Sequence, residues 1–270
     1  RVISDTTLSS RYDGSTDPTR NALLFFGVVE PRWANVGGSV RIMDADYQFP
    51  KGAASGKFDA FPMQMDAYGQ LKFFDRLRVS GSLGGGDATK GRIESRAAQI
   101  TQNNANGDLN LISRTHWVGY DVSDAVLVRA GRINLPFGIR TPDHTLWVRS
   151  YTRTDRESQQ QDGAAIDYSR GRFRGEIMGI AGNYQISPDK FRERGYSAYG
   201  EYMIDPHTAV GVSSLVTHAA DDRFLANGQG YTRQAHGLTA RLAPIEPLAI
   251  LAEADLLLSN QTKVGYVGMV

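Results

Sequence analysis

The chain has 270 residues, of which 41% are hydrophobic, and a mean hydropathy of -0.36; no run of about eighteen apolar residues supplies a membrane-spanning helix. Lys and Arg number 30 against 29 for Asp and Glu, a formal net charge of +1 that argues against a general nucleic-acid binder. The absence of cysteine excludes disulfides, thiolate metal sites and covalent haem attachment on this chain, and suits passage through an oxidising periplasm.

The N-terminal stretch 1–38, including Leu23 to Val29, follows no strand rhythm and reads as a plug, an inserted loop or an edge strand. Arg1 opens no signal-peptide pattern, so the chain reads as mature or as a fragment. A first strand is expected near residues 39 to 48, and residues 39–270 form the expected barrel.

From residue 63 onward the chain repeatedly opens a stretch in which every second side chain is apolar. Met65, Ala67, Gly69, Leu71 and Phe73 share one face, while Gln64, Asp66, Gln70 and Lys72 share the other. A tight turn at Asp75-Arg76 returns Leu77, Val79, Gly81 and Leu83 outward, with Arg78, Ser80 and Ser82 inward. After a Gly- and Asn-rich loop, Leu109, Leu111, Thr115 and Trp117 are placed outward against Asn110, Arg114 and His116. A turn over residues 121 to 124 leads into Val126, Val128 and Ala130 against Arg129.

Beyond a long loop, Ala164, Ile166 and Tyr168 oppose Asp167, and Phe173, Ile177 and Ala181 oppose Arg172, Arg174 and Glu176. Tyr196, Ala198, Tyr202 and Ile204 oppose Ser197 and Glu201, and the Asp205-Pro206-His207 turn leads into residues 209 to 217. In the last complete hairpin Leu238, Ala240 and Leu242 oppose Thr239 and Arg241. An apolar file from Leu248 through Ile250, Ala252, Ala254 and Leu256 to Leu258 then opposes Glu253 and Asp255. A helix over 248 to 258 would set Glu253 into a stripe with Ile250, Ala254 and Leu257, whereas a strand keeps both acids on one wet face. The surrounding rhythm favours the strand.

About twelve strands, each near the ~9–11 residues that cross a bilayer obliquely, predict an all-β fold: a transmembrane antiparallel up-and-down β-barrel. Its short turns face the periplasm and its long loops face outward. The chain stops at Met269-Val270 inside a strand expected from about Thr262, so the barrel reads as incomplete. A soluble β-sandwich is the structural alternative; it would bury the same apolar files between sheets.

The loop opening at Gly131-Arg132 and running through Arg140, His144, Arg149, Arg153 and Arg156 has more basic groups than Asp143, Asp155 and Glu157 offset. Either it folds into the lumen as a cationic constriction, or it is an external loop pairing with its own acids or with lipopolysaccharide phosphates. Lys72, Arg78, Arg114, Arg129, Arg174 and Arg241 are expected along the lumen wall with Glu253 and Asp255 and further acids. The mixed signs either pair across strands or set up a transverse field. With Arg132, Arg140, Arg149 and Arg153 of the loop, these are the candidate pore-lining and constriction residues.

Other motifs carry less. Gly81 to Asp87 is glycine-rich but lacks the Lys-Ser or Lys-Thr of a phosphate-binding loop. The five histidines show no metal-ligand spacing, and no nucleophile elbow marks a catalytic set. No enzyme activity, cofactor or metal is expected.

At Gly131-Arg132-Ile133-Asn134-Leu135-Pro136-Phe137-Gly138 the sequence resembles the strand-to-loop element of bacterial outer-membrane porins, notably the phosphate-selective group; Gly131, Pro136, Phe137 and Gly138 carry the match. The resemblance implies an outer-membrane channel for passive diffusion of small hydrophilic solutes or ions, surrounded by lipid and lipopolysaccharide and open to homo-oligomer formation. The loops also resemble those of barrels that sheathe multihaem cytochromes in electron conduits. In that second reading the lumen binds a periplasmic or luminal cytochrome, which supplies the redox cofactors.

Overall fold

The computed structural model describes residues 33–47, 57–86, 110–139, 147–154, 159–186, 188–223, 226–245, 248–260 and 265–269. Among them lie twelve strands: β1 (Ala34–Tyr47), β2 (Lys57–Phe73), β3 (Leu77–Gly86), β4 (Asn110–Ser123), β5 (Val126–Ile133), β6 (Gln161–Arg170), β7 (Phe173–Gly182), β8 (Arg194–Asp205), β9 (Thr208–Ala219), β10 (Tyr231–Ile245), β11 (Leu248–Ser259) and β12 (Gly265–Met269). They form one sheet in chain order, every strand antiparallel to its sequence neighbour. Among the described residues no ladder joins β12 back to β1. One short helix, α1 (Trp147–Tyr151), lies in the long loop after β5. No helix is long and apolar enough to cross a membrane.

The alternation follows from the two-residue period of a strand. Val79, Leu83, Val128, Ile166, Ile177, Val212 and Leu238 are exposed on the outer face. Arg129, Asp167, Glu176, Glu201, Glu253 and Asp255 are buried on the inner one. Residues 248 to 258 are a strand, with Glu253 and Asp255 on one inward face, as the wet-face argument requires.

The sequence reading is corrected in three places. β1 begins at Ala34, so the strand takes in the last residues of the segment expected to be irregular; residues 1–32 lie outside the described ones. Asp121 belongs to β4 rather than to a turn, which falls at Asp124-Ala125. The third correction concerns His116 and Trp117. Gly81 pairs with His116 but Leu83 pairs with Ser113, so β4 carries one extra residue between these partners. Such a bulge inverts the phase of everything beyond it. Trp117, expected outward, is 5% exposed on the inner side, and His116, expected inward, is exposed outside.

Short connections join β2 to β3, β4 to β5, β6 to β7 and β8 to β9 at one end. The first needs two consecutive left-handed residues, Phe74 (φ 49°) and Asp75 (φ 58°), a conformation that Asp tolerates and Phe does not favour. At the other end the chain makes its long connections, including the one that shapes the interior.

Candidate functional site

That connection starts where β5 ends. Gly131 has φ 138°, and a β-carbon there would collide with the backbone at His116 and Trp117, so only glycine fits. Beyond it Ile133, Leu135, Phe137 and Ile139 are all buried. Ile133, Leu135 and Phe137 join Trp117, Ala165, Met178, Ile180, Leu215 and Ala235 in one apolar cluster. Since Met178, Leu215 and Ala235 belong to the inner faces of β7, β9 and β10, the loop lies inside the curve of the sheet. Its apolar file packs on the wall as a core packs in a soluble protein.

Polar bonds fix the loop's position. Ser197 Oγ of β8 donates to the Pro136 carbonyl at 2.9 Å. The Gly138 N–H donates to Ser213 Oγ of β9 at 2.8 Å, and the Ile139 N–H to Glu253 Oε2 of β11 at 2.9 Å. Gly138 (φ 62°) is required here as well, because a side chain would fall on Arg149 and Glu253. Arg149 of α1 pairs with Glu253 and donates to the Phe137 carbonyl at 3.2 Å and to Thr154 Oγ1 at 3.0 Å. Beside this pair Asp255 is 3% exposed, and neither carboxylate oxygen has a hydrogen-bond partner among the described residues.

The loop's far end is tied to the rim. Arg233 Nη1 donates to the Thr152 carbonyl at 2.6 Å, and its Nη2 pairs with Glu193 at 2.5 Å. Arg153 pairs with Asp222 at 3.2 Å and stands 5.0 Å from the Tyr231 ring. Burial alone would raise the Glu193 carboxyl, but the adjacent Arg233 and Arg153 charges outweigh it and hold the group below its ordinary range. Glu193, Arg233, Ser197 and Ser213 were not among the sequence candidates. The serines carried a signal in their inward phase, whereas Glu193, just before β8, carried none.

Toward the short-turn end the inner wall changes character. Arg129 lies between Asp167 (3.0 Å) and Glu176 (2.5 Å), with the Trp117 ring 5.4 Å away. Glu201 receives Arg174 at 2.5 Å, Arg241, and the Tyr199 hydroxyl at 2.5 Å. Arg78 pairs with Asp121 at 2.6 Å, and nearer the long-loop end Arg114 pairs with Asp66 at 3.4 Å.

The candidate residues therefore fall into three groups. Lys72, Arg78, Arg114, Arg129, Arg174 and Arg241 lie on the inner wall, and among the described residues all but Lys72 are in ion pairs. Arg149 and Arg153 fasten the loop, against Glu253 and Asp222. Arg132 is fully buried at the end of β5 and donates to the Arg114 carbonyl (2.9 Å), Asn183 Oδ1 (2.7 Å) and Gln160. Arg140 lies outside the described residues, as do His144 and Arg156. No group of three or more metal-ligating side chains occurs among the described residues.

No family model and no characterised sequence matches the chain. Its structure matches the outer membrane channel DcaP of Acinetobacter baumannii with a TM-score of 0.50 and 12% identity, over 85% of this chain and 65% of that one. It is also similar to OmpT, an outer membrane protein of Vibrio cholerae in trimer form, with a TM-score of 0.42 and 10% identity over 87% and 81% of the two chains. The chain thus spans just under two thirds of the length of DcaP, and the fold is that of an outer-membrane β-barrel wall.

Proposed function

We propose that this chain forms the wall and constriction loop of a porin-like channel in the bacterial outer membrane, through which small hydrophilic solutes diffuse passively, with anions favoured. The observation that carries the channel is the loop after β5. It is fastened inside the sheet by Ser197, Ser213 and Glu253, where it narrows any passage without obstructing the whole inner wall. The fold likeness to an outer membrane channel supports the same reading.

The preference for anions comes from how the wall pairs are built. Glu201 is 1% exposed, while its partners Arg174 and Arg241 are 21% and 36% exposed. A passing solute meets the guanidinium edges of Arg174 and Arg241 and is shielded from the Glu201 carboxylate behind them, so this part of the wall presents a positive surface. Arg78, Arg114 and Lys72 line the same passage, while Arg129, Arg132 and Arg149 brace it. The cytochrome-sheath reading gains no support from this arrangement, because the chain's own loop already covers inner-face residues of β7, β9 and β10.

Planar-bilayer recording under a salt gradient tests the proposal. The expected result is stable conductance with a reversal potential of the sign for chloride over potassium, reduced by Arg241→Gln. A non-conducting protein, or one selective for cations, overturns it.

A further inference from the structure

The loop after β5 roofs a cavity on the inner wall that it does not fill. The cavity measures about 140 Å³ and lies at the long-loop end, between the C-terminal end of α1 and the inner faces of β10, β11 and β12. Its floor follows from the register. Ala235, Leu257 and Gly265 stand in one row across the three strands, and Arg233 and Ser259 pair in the next row toward the rim. Leu257 thus has a small residue on either side, and a β-carbon at Gly265 would meet only Leu257, at 3.8 Å. The row is a shallow apolar dish because Ala235 and Gly265 carry almost no side chain.

Tyr151 closes the dish from the loop side. Trp147, one turn earlier on α1, packs against it edge to face, with ring centroids 5.8 Å apart and planes at 86°. Val148 and Arg149 are buried and the Thr152 carbonyl is bonded to Arg233, so the helix is fixed above the dish rather than collapsed into it. Tyr151 itself stays 67% exposed, an aromatic ring left without a covering partner among the described residues. An apolar cavity of roughly 150 Å³ accepts a single benzene ring, so the space suits one flat six-membered ring.

Polar side chains stand along one edge only, where Ser259 and Arg233 form the rim-side row. The Arg233 charge is already matched: its Nε donates to Glu193 Oε1 at 3.0 Å, its Nη2 to Glu193 Oε2 at 2.5 Å, and its Nη1 to the Thr152 carbonyl. An anion would have to compete with Glu193 for it. A sugar carries hydroxyls around its whole ring and would press some of them onto Ala235 and Leu257 without hydrogen-bond partners, which is costly. A ring polar at a single edge meets neither penalty. We infer that this cavity is a binding site for a small uncharged aromatic solute of the phenol class. The ring lies between Tyr151 and the row of Ala235, Leu257 and Gly265, and the hydroxyl lies at the Ser259 edge. The inference rests on the channel reading above for what the site serves, a first stop for solute at the long-loop end; the binding itself does not depend on conduction.

Fluorine NMR of para-fluorophenol, titrated into the purified protein in detergent, tests the site. The expected result is saturable binding beyond the partition of the probe into detergent alone. Gly265→Leu fills the dish and is expected to abolish it. Tyr151→Ala removes one ring contact from an exposed position and is expected to weaken it about tenfold while keeping the gel mobility of a folded barrel. If Gly265→Leu does not fold, Tyr151→Ala decides. Excess glucose is expected not to displace the probe, and para-fluorobenzoate to bind less tightly than para-fluorophenol. Binding unchanged by Tyr151→Ala, the outcome if the probe only dissolves in the detergent, overturns the inference. So do displacement by glucose and tighter binding of para-fluorobenzoate. Absence of conductance in a protein that binds the probe counts against the channel reading alone, and conductance without saturable binding counts against this site alone.

Discussion

The inner wall has two halves that solve one problem in opposite ways. Toward the long-loop end, Ile133, Leu135 and Phe137 of the loop lie on Met178, Ile180, Leu215 and Ala235 of the wall, and shape holds the two together. Toward the short-turn end, Arg129, Arg174 and Arg241 are held by Asp167, Glu176 and Glu201, and charge does the work. The dry half gains from burying apolar area, and the wet half keeps charged groups on the inner face by pairing them. Glu253 stands where the two meet. It is an inner-wall acid whose partner, Arg149, comes from the loop.

The sharpest way to break the contrast is therefore Glu253→Ala. It leaves Arg149 buried without its carboxylate and the Ile139 N–H without its acceptor, a loss expected at about 3–5 kcal/mol. The readouts are thermal unfolding and a rise in single-channel conductance as the loop comes free. Phe137→Ala tests the dry half without touching charge. Its side chain is 2% exposed, and truncation is expected to cost about 3–5 kcal/mol or somewhat less if the loop collapses onto the gap. Conductance is expected to become noisy rather than shift in selectivity.

Acid separates the fastenings at the loop's outer end from the rest. The Glu193 carboxyl is held below its ordinary value of 4.5, so its ties to Arg233 and Arg153 contribute fully above that pH and are lost as pH falls through the lowered value. Limited proteolysis of the loop is expected to accelerate only below about pH 4.5. The smallest effect is expected at the rim, where Lys190 is half exposed in its pair with Asp221. Lys190→Ala should change stability by about 1 kcal/mol or less by denaturant titration.

The strand faces were legible in the sequence because an interior and an exterior of opposite polarity write a period of two into every strand. Leu238 and Glu253 fell on the expected faces for that reason. Trp117 did not. The extra residue in β4 exists only relative to β3, and nothing in the local pattern from Ser113 to Trp117 marks it. The loop was legible as a basic segment, but the sequence alone left open whether it entered the lumen. Its partners Ser213 and Glu253 lie 75 and 114 residues further along the chain, beyond the reach of any local signal. The arginines that made it conspicuous act partly as fasteners: Arg149 and Arg153 are held by carboxylates of the wall and rim.

That separation of 114 residues also sets an order of events. Six strands, β6 to β11, separate Ile139 from its acceptor along the chain, so the loop has nothing to close upon until they have been laid side by side. Contacts between such distant segments form late, because the closure entropy is met before they are made. The loop therefore settles against the inner wall only once β11 is in place. On the channel reading proposed above, the sieving property would be acquired at the end of assembly.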